Sequence, residues 1–145
     1  MSILRSLAFF VFGLVALGGC GSGGGGDKSG PEAAWTYVGT WVNAAYADGK
    51  GPPAKIFFTE HSLSFYKKDS DTVPFTAGTL SVSEDWTADG GHYFSCSADS
   101  TDGNGYMLLR VSGGNSTLEA NTSETDPPTA ITPTQGQYGT CTRQQ

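Results

Sequence analysis

The residues of this chain that could do acid–base or metal chemistry are few and scattered. His92 lies four residues before Cys96, so both would share one face of a strand, and His61 stands apart from them. Two ligands without a CxxC or HxxxH partner do not complete a zinc site. The neighbouring carboxylates of Glu84 and Asp85 would point to opposite faces of a strand, which prevents them from acting as an acid–base pair. From these residues we expect no metal ion and no cofactor.

Longer catalytic motifs are also absent from the sequence. It contains no Gly-x-Ser-x-Gly elbow, no His-Glu-x-x-His pair, no phosphate-binding loop and no dinucleotide fingerprint. The acidic run 99–105, which reads DSTDGNG, lacks the register of an EF-hand loop, and Asn104-Gly105 is typical of a type I′ hairpin turn. Both histidines adjoin turn sequences, where we expect surface side chains and not general bases. The sequence therefore predicts a protein that is not an enzyme.

The amino-terminal segment resembles a bacterial lipoprotein signal. Arg5 precedes an uncharged apolar run from Leu7 to Leu17, which is too short to span a bilayer but fits a signal-peptide core. The run leads through Gly-Gly into Cys20, as in a lipobox. The resemblance implies that residues 1–19 are removed and that Cys20 then carries acyl chains inserted in the membrane. The alternative is an ordinary secretory signal in which Cys20 lies near the cleavage site by chance.

The number of cysteines agrees with this interpretation. Lipidation of Cys20 would leave Cys96 and Cys141 as the remaining two of three. Compartments outside the cytoplasm are oxidising, so we expect Cys96 and Cys141 to form a disulfide. In the chain-entropy picture, closing a loop of about 45 residues, the distance in sequence between the two cysteines, stabilises a fold by roughly 4 kcal/mol.

Composition separates a tether from a folded domain. After Cys20, residues 20–33 include the run GSGGGGDKSG, which has no apolar side chain to bury and should form a flexible coil. Gly21 and Ser22 resemble a sorting pattern that favours the outer over the inner membrane. The whole chain has 14 acidic and 8 basic residues, a net charge of -6, which excludes a surface for nucleic acid. The expected partners are the membrane, through the lipid, and a small molecule or another envelope protein.

Residues 34–145 read as one all-β domain. Short β-rich runs recur between turn residues: Trp35–Ala45, Lys55–Thr59, Leu63–Lys67, Val73–Ala77, Thr79–Ser83, His92–Ser97, Tyr106–Ser112, Thr117–Thr122 and Gln137–Arg143. Several alternate apolar with polar residues, as antiparallel strands with one buried face do. Since closure removes exposed strand edges, we expect an eight-stranded, closed or partly closed antiparallel barrel. Pro127-Pro128 and Pro133 predict that the segment before the last strand crosses an opening of this barrel.

The first predicted strand carries the residues of a known signature. Gly39-Thr40-Trp41 resembles the Gly-x-Trp motif of the calycins, which include lipocalins, fatty-acid-binding proteins, avidins and bacterial metalloprotease inhibitors. The resemblance implies that Trp41 closes the narrow end of the barrel and that a basic side chain from a late strand packs over its ring. Arg143 is the matching residue here. A calycin-like barrel further implies a binding protein for a small hydrophobic molecule.

Aromatic side chains make up 12% of the chain and supply the candidates for a ligand-binding interior. The candidates to line a cavity are Trp35, Phe57, Phe65, Trp86 and Phe94. The alternative is that these side chains fill the core, because an eight-stranded barrel is near the size at which its interior is either packed or able to hold one small ligand.

These observations predict a non-catalytic lipoprotein of the bacterial cell envelope. We expect it to bind a small hydrophobic or amphipathic ligand in the barrel, displayed on its tether in the periplasm or at the surface. The alternative is a periplasmic protein-binding module, such as a protease or lysozyme inhibitor, that acts through its loops. An exposed, ordered loop with an apolar tip would favour inhibition. A structural envelope protein without a soluble ligand is a third interpretation.

Overall fold

The computed structural model describes residues 34–132 and 137–145. The predicted signal peptide, the lipidated Cys20 and the tether all lie outside the described residues. The strands are β1 (Gly39–Val42), β2 (Lys55–Phe58), β3 (Ser62–Tyr66), β4 (Thr76–Ala88), β5 (Gly91–Ser100), β6 (Gly103–Ser112), β7 (Thr117–Ser123) and β8 (Gln137–Arg143), with a 3-10 turn at Ala44–Tyr46.

The eight strands form a closed, antiparallel up-and-down barrel. Each strand pairs with the next along the chain, and β1 closes the ring against β8 through Trp41 opposite Arg143 and Val42 opposite Thr142. Four pairs of neighbouring strands are joined by turns of two to four residues, which antiparallel pairing permits. The predicted fold class and strand number are therefore confirmed.

Alternate side chains of the strands face the interior. On β3, Leu63 and Phe65 face inward, and on β6 the inward residues are Met107, Leu109 and Val111. All five are buried and belong to one continuous core. The alternation read from the sequence thus becomes one apolar interior and one outer surface.

Leu108 interrupts this alternation, and its strand partner Asn121 contacts the segment after β7. Leu108 is fully buried although it is not part of the core, and its partner across the strands is Asn121. The Asn121 amide donates to the Ala130 carbonyl at 2.9 Å and to the Thr132 hydroxyl at 3.0 Å. These hydrogen bonds place Ala130 and Thr132 beside Asn121 of β7. Pro133 lies outside the described residues, so the prediction that the proline-rich segment crosses an opening of the barrel stays a prediction.

The barrel has two unlike ends, which we call the closed end and the open end. The closed end carries the turns 59–61, 89–90 and 113–116 together with residues 34–38, which lead into β1. The open end carries the longer connections 43–54 and 67–75, the turn 101–102 and the segment after β7. Length alone gives the open end more chain with which to surround a ligand.

The turn between β5 and β6 is not where the sequence predicts it. Asn104 and Gly105 do not form the turn between β5 and β6 but lie inside β6, paired with Asp99 and Ala98. The turn is at residues 101–102, where the Ser100 hydroxyl accepts from the Asp102 amide at 3.3 Å and donates to the Gly103 carbonyl at 2.9 Å. A serine hydroxyl that satisfies two backbone groups replaces the Asn-Gly turn.

The runs Val73–Ala77 and Thr79–Ser83 do not form two strands: residues 73–75 belong to the connection before β4, and the rest of both runs lies on β4. β4 begins at Thr76 and continues without a turn through Gly78 to Ala88. A side chain at Gly78 would meet the Asp99 carbonyl at 2.2 Å, so this glycine serves close contact between β4 and β5.

The disulfide expected between Cys96 and Cys141 is absent from the structure, in which both are buried free thiols. Cys96 lies on β5 and Cys141 on β8, with β6 and β7 between them in the wall. Neighbouring strands are about 4.8 Å apart, so three steps along the wall far exceed the roughly 7 Å between Cα atoms that a disulfide tolerates. The cysteine count contains no information on this separation.

Candidate functional site

The closed end is built around Trp41. Its ring is fully buried, and its Nε1 donates to the Tyr37 carbonyl at 2.7 Å. The Arg143 guanidinium lies over the ring, 4.4 Å from its centroid, as the sequence predicts. This contact combines a cation with the face of an indole, which is favourable where water is partly excluded.

Arg143 is held in this position by three carbonyl groups. Its Nη1 donates to Val38 at 2.9 Å, its Nη2 to Thr36 at 2.6 Å and its Nε to Asn115 at 2.8 Å. Burial lowers the pKa of the guanidinium from its ordinary value, but it stays protonated at any physiological pH. Gly39 leaves room for it, because a Cβ there would stand 2.9 Å from Nη1. The group therefore ties β8 to the chain leading into β1.

The segment leading into β1 seals this end. Tyr37 is buried, and its ring packs edge-on against Phe94 with centroids 4.9 Å apart and against Phe58 at 5.9 Å. Its hydroxyl donates to the Glu60 carbonyl at 3.0 Å in the turn after β2. Burial raises the pKa of the Tyr37 phenol, and the nearby Cys96 and Glu60 raise it further.

The open end holds a cavity of about 770 Å³. Its apolar wall includes Leu63, Phe65 and Met107, three inward side chains of the core. Its rim is formed by the connections of the open end, with Pro52 and Phe75 among the apolar contributors. This volume lies within the range of about 300–1,000 Å³ typical of small-molecule sites.

Polar and charged groups stand on the rim of the same cavity. Lys67, Asp102 and Glu124 all line it, as does Thr76, whose hydroxyl donates to the Asp102 carboxylate. The Lys67 ammonium lies 5.7 Å from the centroid of the Phe75 ring. An apolar interior below a ring of mixed charge suits a molecule with a hydrophobic body and a polar end.

The connection 67–75 is held in place at the cavity mouth. Lys55 Nζ donates to the carbonyls of Asp69 at 2.6 Å and Asp71 at 2.7 Å, and the Phe75 amide donates to the Phe65 carbonyl at 2.9 Å. The loop nevertheless presents apolar surface to solvent, since Val73 is 76% and Phe75 is 43% exposed. It is an ordered loop with an apolar tip.

Of the five aromatic residues predicted to line a cavity, only Phe65 does so. Phe94 is buried at the closed end against Tyr37, and Trp35 packs on the core from the segment before β1. Phe57 lies between the inward Ile56 and Phe58 and is 39% exposed.

Trp86 lies on the outer surface because of a β-bulge. The register of β4 against β5 shifts between Val82 and Glu84, and this extra residue turns every later side chain to the other face. The Trp86 ring is stacked on Tyr93, with centroids 5.2 Å apart and planes 2° from parallel. Alternation from Leu80 alone would have placed Trp86 inside.

The cavity residues Leu63 and Met107 were absent from the predicted lining although their strand pattern marks them as inward. The rim residues Lys67, Asp102 and Phe75 carry no pattern of their own. Loop conformation, which no local periodicity describes, brings them together.

His92 lies within β5 and is not a surface-turn residue, so that expectation is corrected. Its Nε2 lies 2.9 Å from Asp85 Oδ1 and its Nδ1 lies 2.8 Å from the Thr87 hydroxyl. Both partners are on β4, and the arrangement is a cross-strand hydrogen-bonded chain. Glu84 and Asp85 point to opposite faces, as their spacing predicts. Within residues 34–132 and 137–145, no group of three metal-ligating side chains could hold a metal ion.

Comparison with protein-family models, with curated proteins and with solved structures finds no significant match to this chain. In the described part of the chain, no helix has the length and apolar character needed to cross a bilayer.

Proposed function

We propose that this protein is a membrane-anchored bacterial lipoprotein that binds a small hydrophobic or amphipathic molecule, without catalysis, in a calycin-like barrel. The observation that carries the proposal is the cavity of about 770 Å³ at the open end, opposite the packed closed end. A barrel with one sealed end and one accessible end has a single route for a ligand. The apolar walls would take its hydrophobic part, and the charged rim would take its polar part.

The anchor is the second component of the proposal. The charge, core length and small residues before Cys20 support cleavage and lipidation at that residue. The glycine-rich run after it would let the barrel turn its open end toward or away from the membrane. Such a protein would collect or deliver molecules that partition into lipid, and the outer membrane is the proposed location.

Ligand binding is tested by titrating the protein with a dansylated fatty acid and following dansyl fluorescence. Ala98 lines the cavity and also packs on the core, so Ala98→Phe should fill part of the space and weaken probe binding about tenfold or more. Phe57→Ser, on the outer face, is the matched control and should leave affinity unchanged. Equal affinity in both variants, or no saturable binding to the unaltered protein, would refute the cavity as the site.

Anchoring is tested independently of ligand binding. Expressed in a bacterium, the chain should fractionate with membranes and carry acyl groups on Cys20 by mass spectrometry. The Cys20→Ser variant should move to the soluble fraction. An unmodified Cys20 in membrane-bound protein would count against the lipoprotein assignment while leaving the ligand result intact.

One observation favours a second function, inhibition of a protein partner. The ordered loop 67–75 exposes Val73 and Phe75, as an inhibitory loop with an apolar tip would. Envelope proteases and lysozymes are the candidate partners. The Val73→Asp variant should abolish inhibition in this case, whereas it should leave the binding of the dansylated probe unaffected, because Val73 does not line the cavity.

A further inference from the structure

Strand β4 continues well beyond its partner β3. The pairing of β3 with β4 ends at Ser62 opposite Thr79, and the Leu80 amide then donates to the His61 carbonyl at 2.9 Å. β4 runs on to Ala88, paired on its other side with β5. Among the described residues, no strand pairs with the free edge of 81–88. Residues 81–87 are all exposed.

The direction of one amide shows that this edge offers backbone hydrogen bonds. The Leu80 amide points away from β5, toward the side on which β3 lies. In an extended strand, successive amides alternate in direction, so the Val82 amide points to the same side. An added strand could therefore bind this edge through main-chain hydrogen bonds.

A row of side chains crosses the outer face and ends at this edge. Arg110 Nη1 contacts Glu119 Oε2 at 2.6 Å, and its guanidinium lies 5.8 Å from the centroid of the Tyr93 ring. Tyr93 in turn stacks on Trp86. Trp86 is the last member of the row and remains 36% exposed. Its indole is thus stacked on Tyr93 and is the last ring of the row, next to the free edge of β4.

The charge beside Trp86 indicates which side chains an added strand would carry. Glu84 precedes Trp86 by two residues, lies on the same outer face and is exposed. Among the described residues, no hydrogen bond or ion pair engages its side chain. Asp85, on the opposite face, is already hydrogen-bonded to His92. A cationic side chain on an added strand could stack on Trp86 and pair with Glu84.

We propose that the free edge of β4 at residues 81–88 binds an extended segment of a partner protein that carries arginine at alternate positions. The segment adds a strand to the barrel wall, its backbone bonded to β4 and its arginines over Trp86 and Glu84. A second copy of this chain is a poor occupant. Antiparallel pairing of 81–88 with itself would set Glu84 opposite Asp85 of the other copy, and like charges opposite each other destabilise a sheet.

The test uses a blocked peptide of alternating arginine and threonine, titrated into the full chain and followed by tryptophan fluorescence and by amide hydrogen exchange. Binding should slow exchange at residues 81–88, and a peptide with glutamate in place of arginine should not bind. Glu84→Lys should weaken binding about tenfold and Trp86→Thr about fivefold. Asp126→Lys makes the same charge change on the segment after β7 and should have no effect.

Val82→Pro removes the edge amide and should abolish binding, provided that its unfolding transition stays cooperative. Glu84→Lys changes an exposed side chain and keeps the test valid if Val82→Pro fails to fold. Three results would overturn the proposal: no saturable binding of the arginine peptide, equal weakening by Asp126→Lys, or self-association of the chain through this edge in sedimentation. Protection of 81–88 before peptide is added would show that another part of this chain already covers the edge.

Discussion

The two ends of the barrel are made from similar strands but differ in what closes them. At the closed end, Trp41 is fully buried and Arg143 binds three carbonyls over its ring. At the open end, longer connections stand apart and leave a cavity of about 770 Å³. At the closed end a guanidinium binds backbone carbonyls above a packed core, whereas at the open end apolar side chains of the core face a cavity. Stability should therefore be concentrated at the first and binding at the second.

The largest expected effect is the difference in the free energy of unfolding between a variant at the closed end and a variant at the open end. Trp41→Ala should cost about 3–5 kcal/mol, because it empties a fully enclosed site and removes the ring beneath Arg143. Phe75→Ala, at the cavity rim, should cost about 1 kcal/mol or less, since the side chain is 43% exposed. Urea unfolding followed by fluorescence measures both. Similar losses in the two variants would show that the open end contributes to stability as much as the closed end.

The two buried thiols report whether water in the cavity reaches the core beneath it. Burial raises the pKa of the Cys96 and Cys141 thiols to about 12, and neither thiol lines the cavity. An unfolded chain loses these protons from about pH 8.5 upward, while the folded protein keeps them. Stability from the thiols is thus complete below that pH and falls as the pH rises toward about 12, by up to about 1.4 kcal/mol per pH unit for each thiol.

Urea unfolding between about pH 8 and 11 measures this slope. A variant with Cys96→Ala and Cys141→Ala is the control, because it should lose the thiol part of the slope while other groups still titrate. Water penetration would bring each pKa near its ordinary value and abolish the difference between the two proteins. If the unfolded protein shows no free thiol, Cys96 and Cys141 are joined in solution, contrary to this structure.

The smallest expected effect is a difference in stability between alanine variants of two glycines, one at each end. Gly39 has φ +134° and a Cβ there would meet Arg143 Nη1 at 2.9 Å, whereas Gly103 has φ +125° and open space around it. Alanine at either position strains the backbone in the same way, by about 1–3 kcal/mol. Gly39→Ala should cost about 1 kcal/mol more, because it also displaces the guanidinium. Equal melting temperatures would mean that Arg143 can move without loss.

The closed end could be predicted because its residues match the signature of a known family. Gly39, Trp41 and Arg143 were identified from one three-residue motif and one late basic residue, and the structure brings them into contact. The open end could not, since its rim is assembled from four separate connections. Only Phe65 was identified there, as one of the aromatic candidates, whereas most of the side chains that line the cavity are not aromatic.

Trp86 shows how one inserted residue changes the face of the sheet on which a side chain lies. Counting alternate positions from Leu80 predicts an inward ring, but the bulge after Val82 turns it outward onto Tyr93. A bulge inserts one residue into one strand, and the composition of that strand does not reveal it. The free edge beside Trp86 could not be predicted either, because the point at which β3 ends against β4 is visible only in the assembled sheet.

A family resemblance implied the contact of Trp41 with Arg143, whereas the sequence by itself determined the all-β class and the antiparallel barrel. The sequence could do so because apolar alternation and turn residues act over a few neighbouring residues. Only the tertiary structure decided that Cys96 and Cys141 stand apart, that a cavity remains at the open end and that β4 has a free edge. These depend on distances between strands far apart in the chain, and such distances are set when the barrel closes.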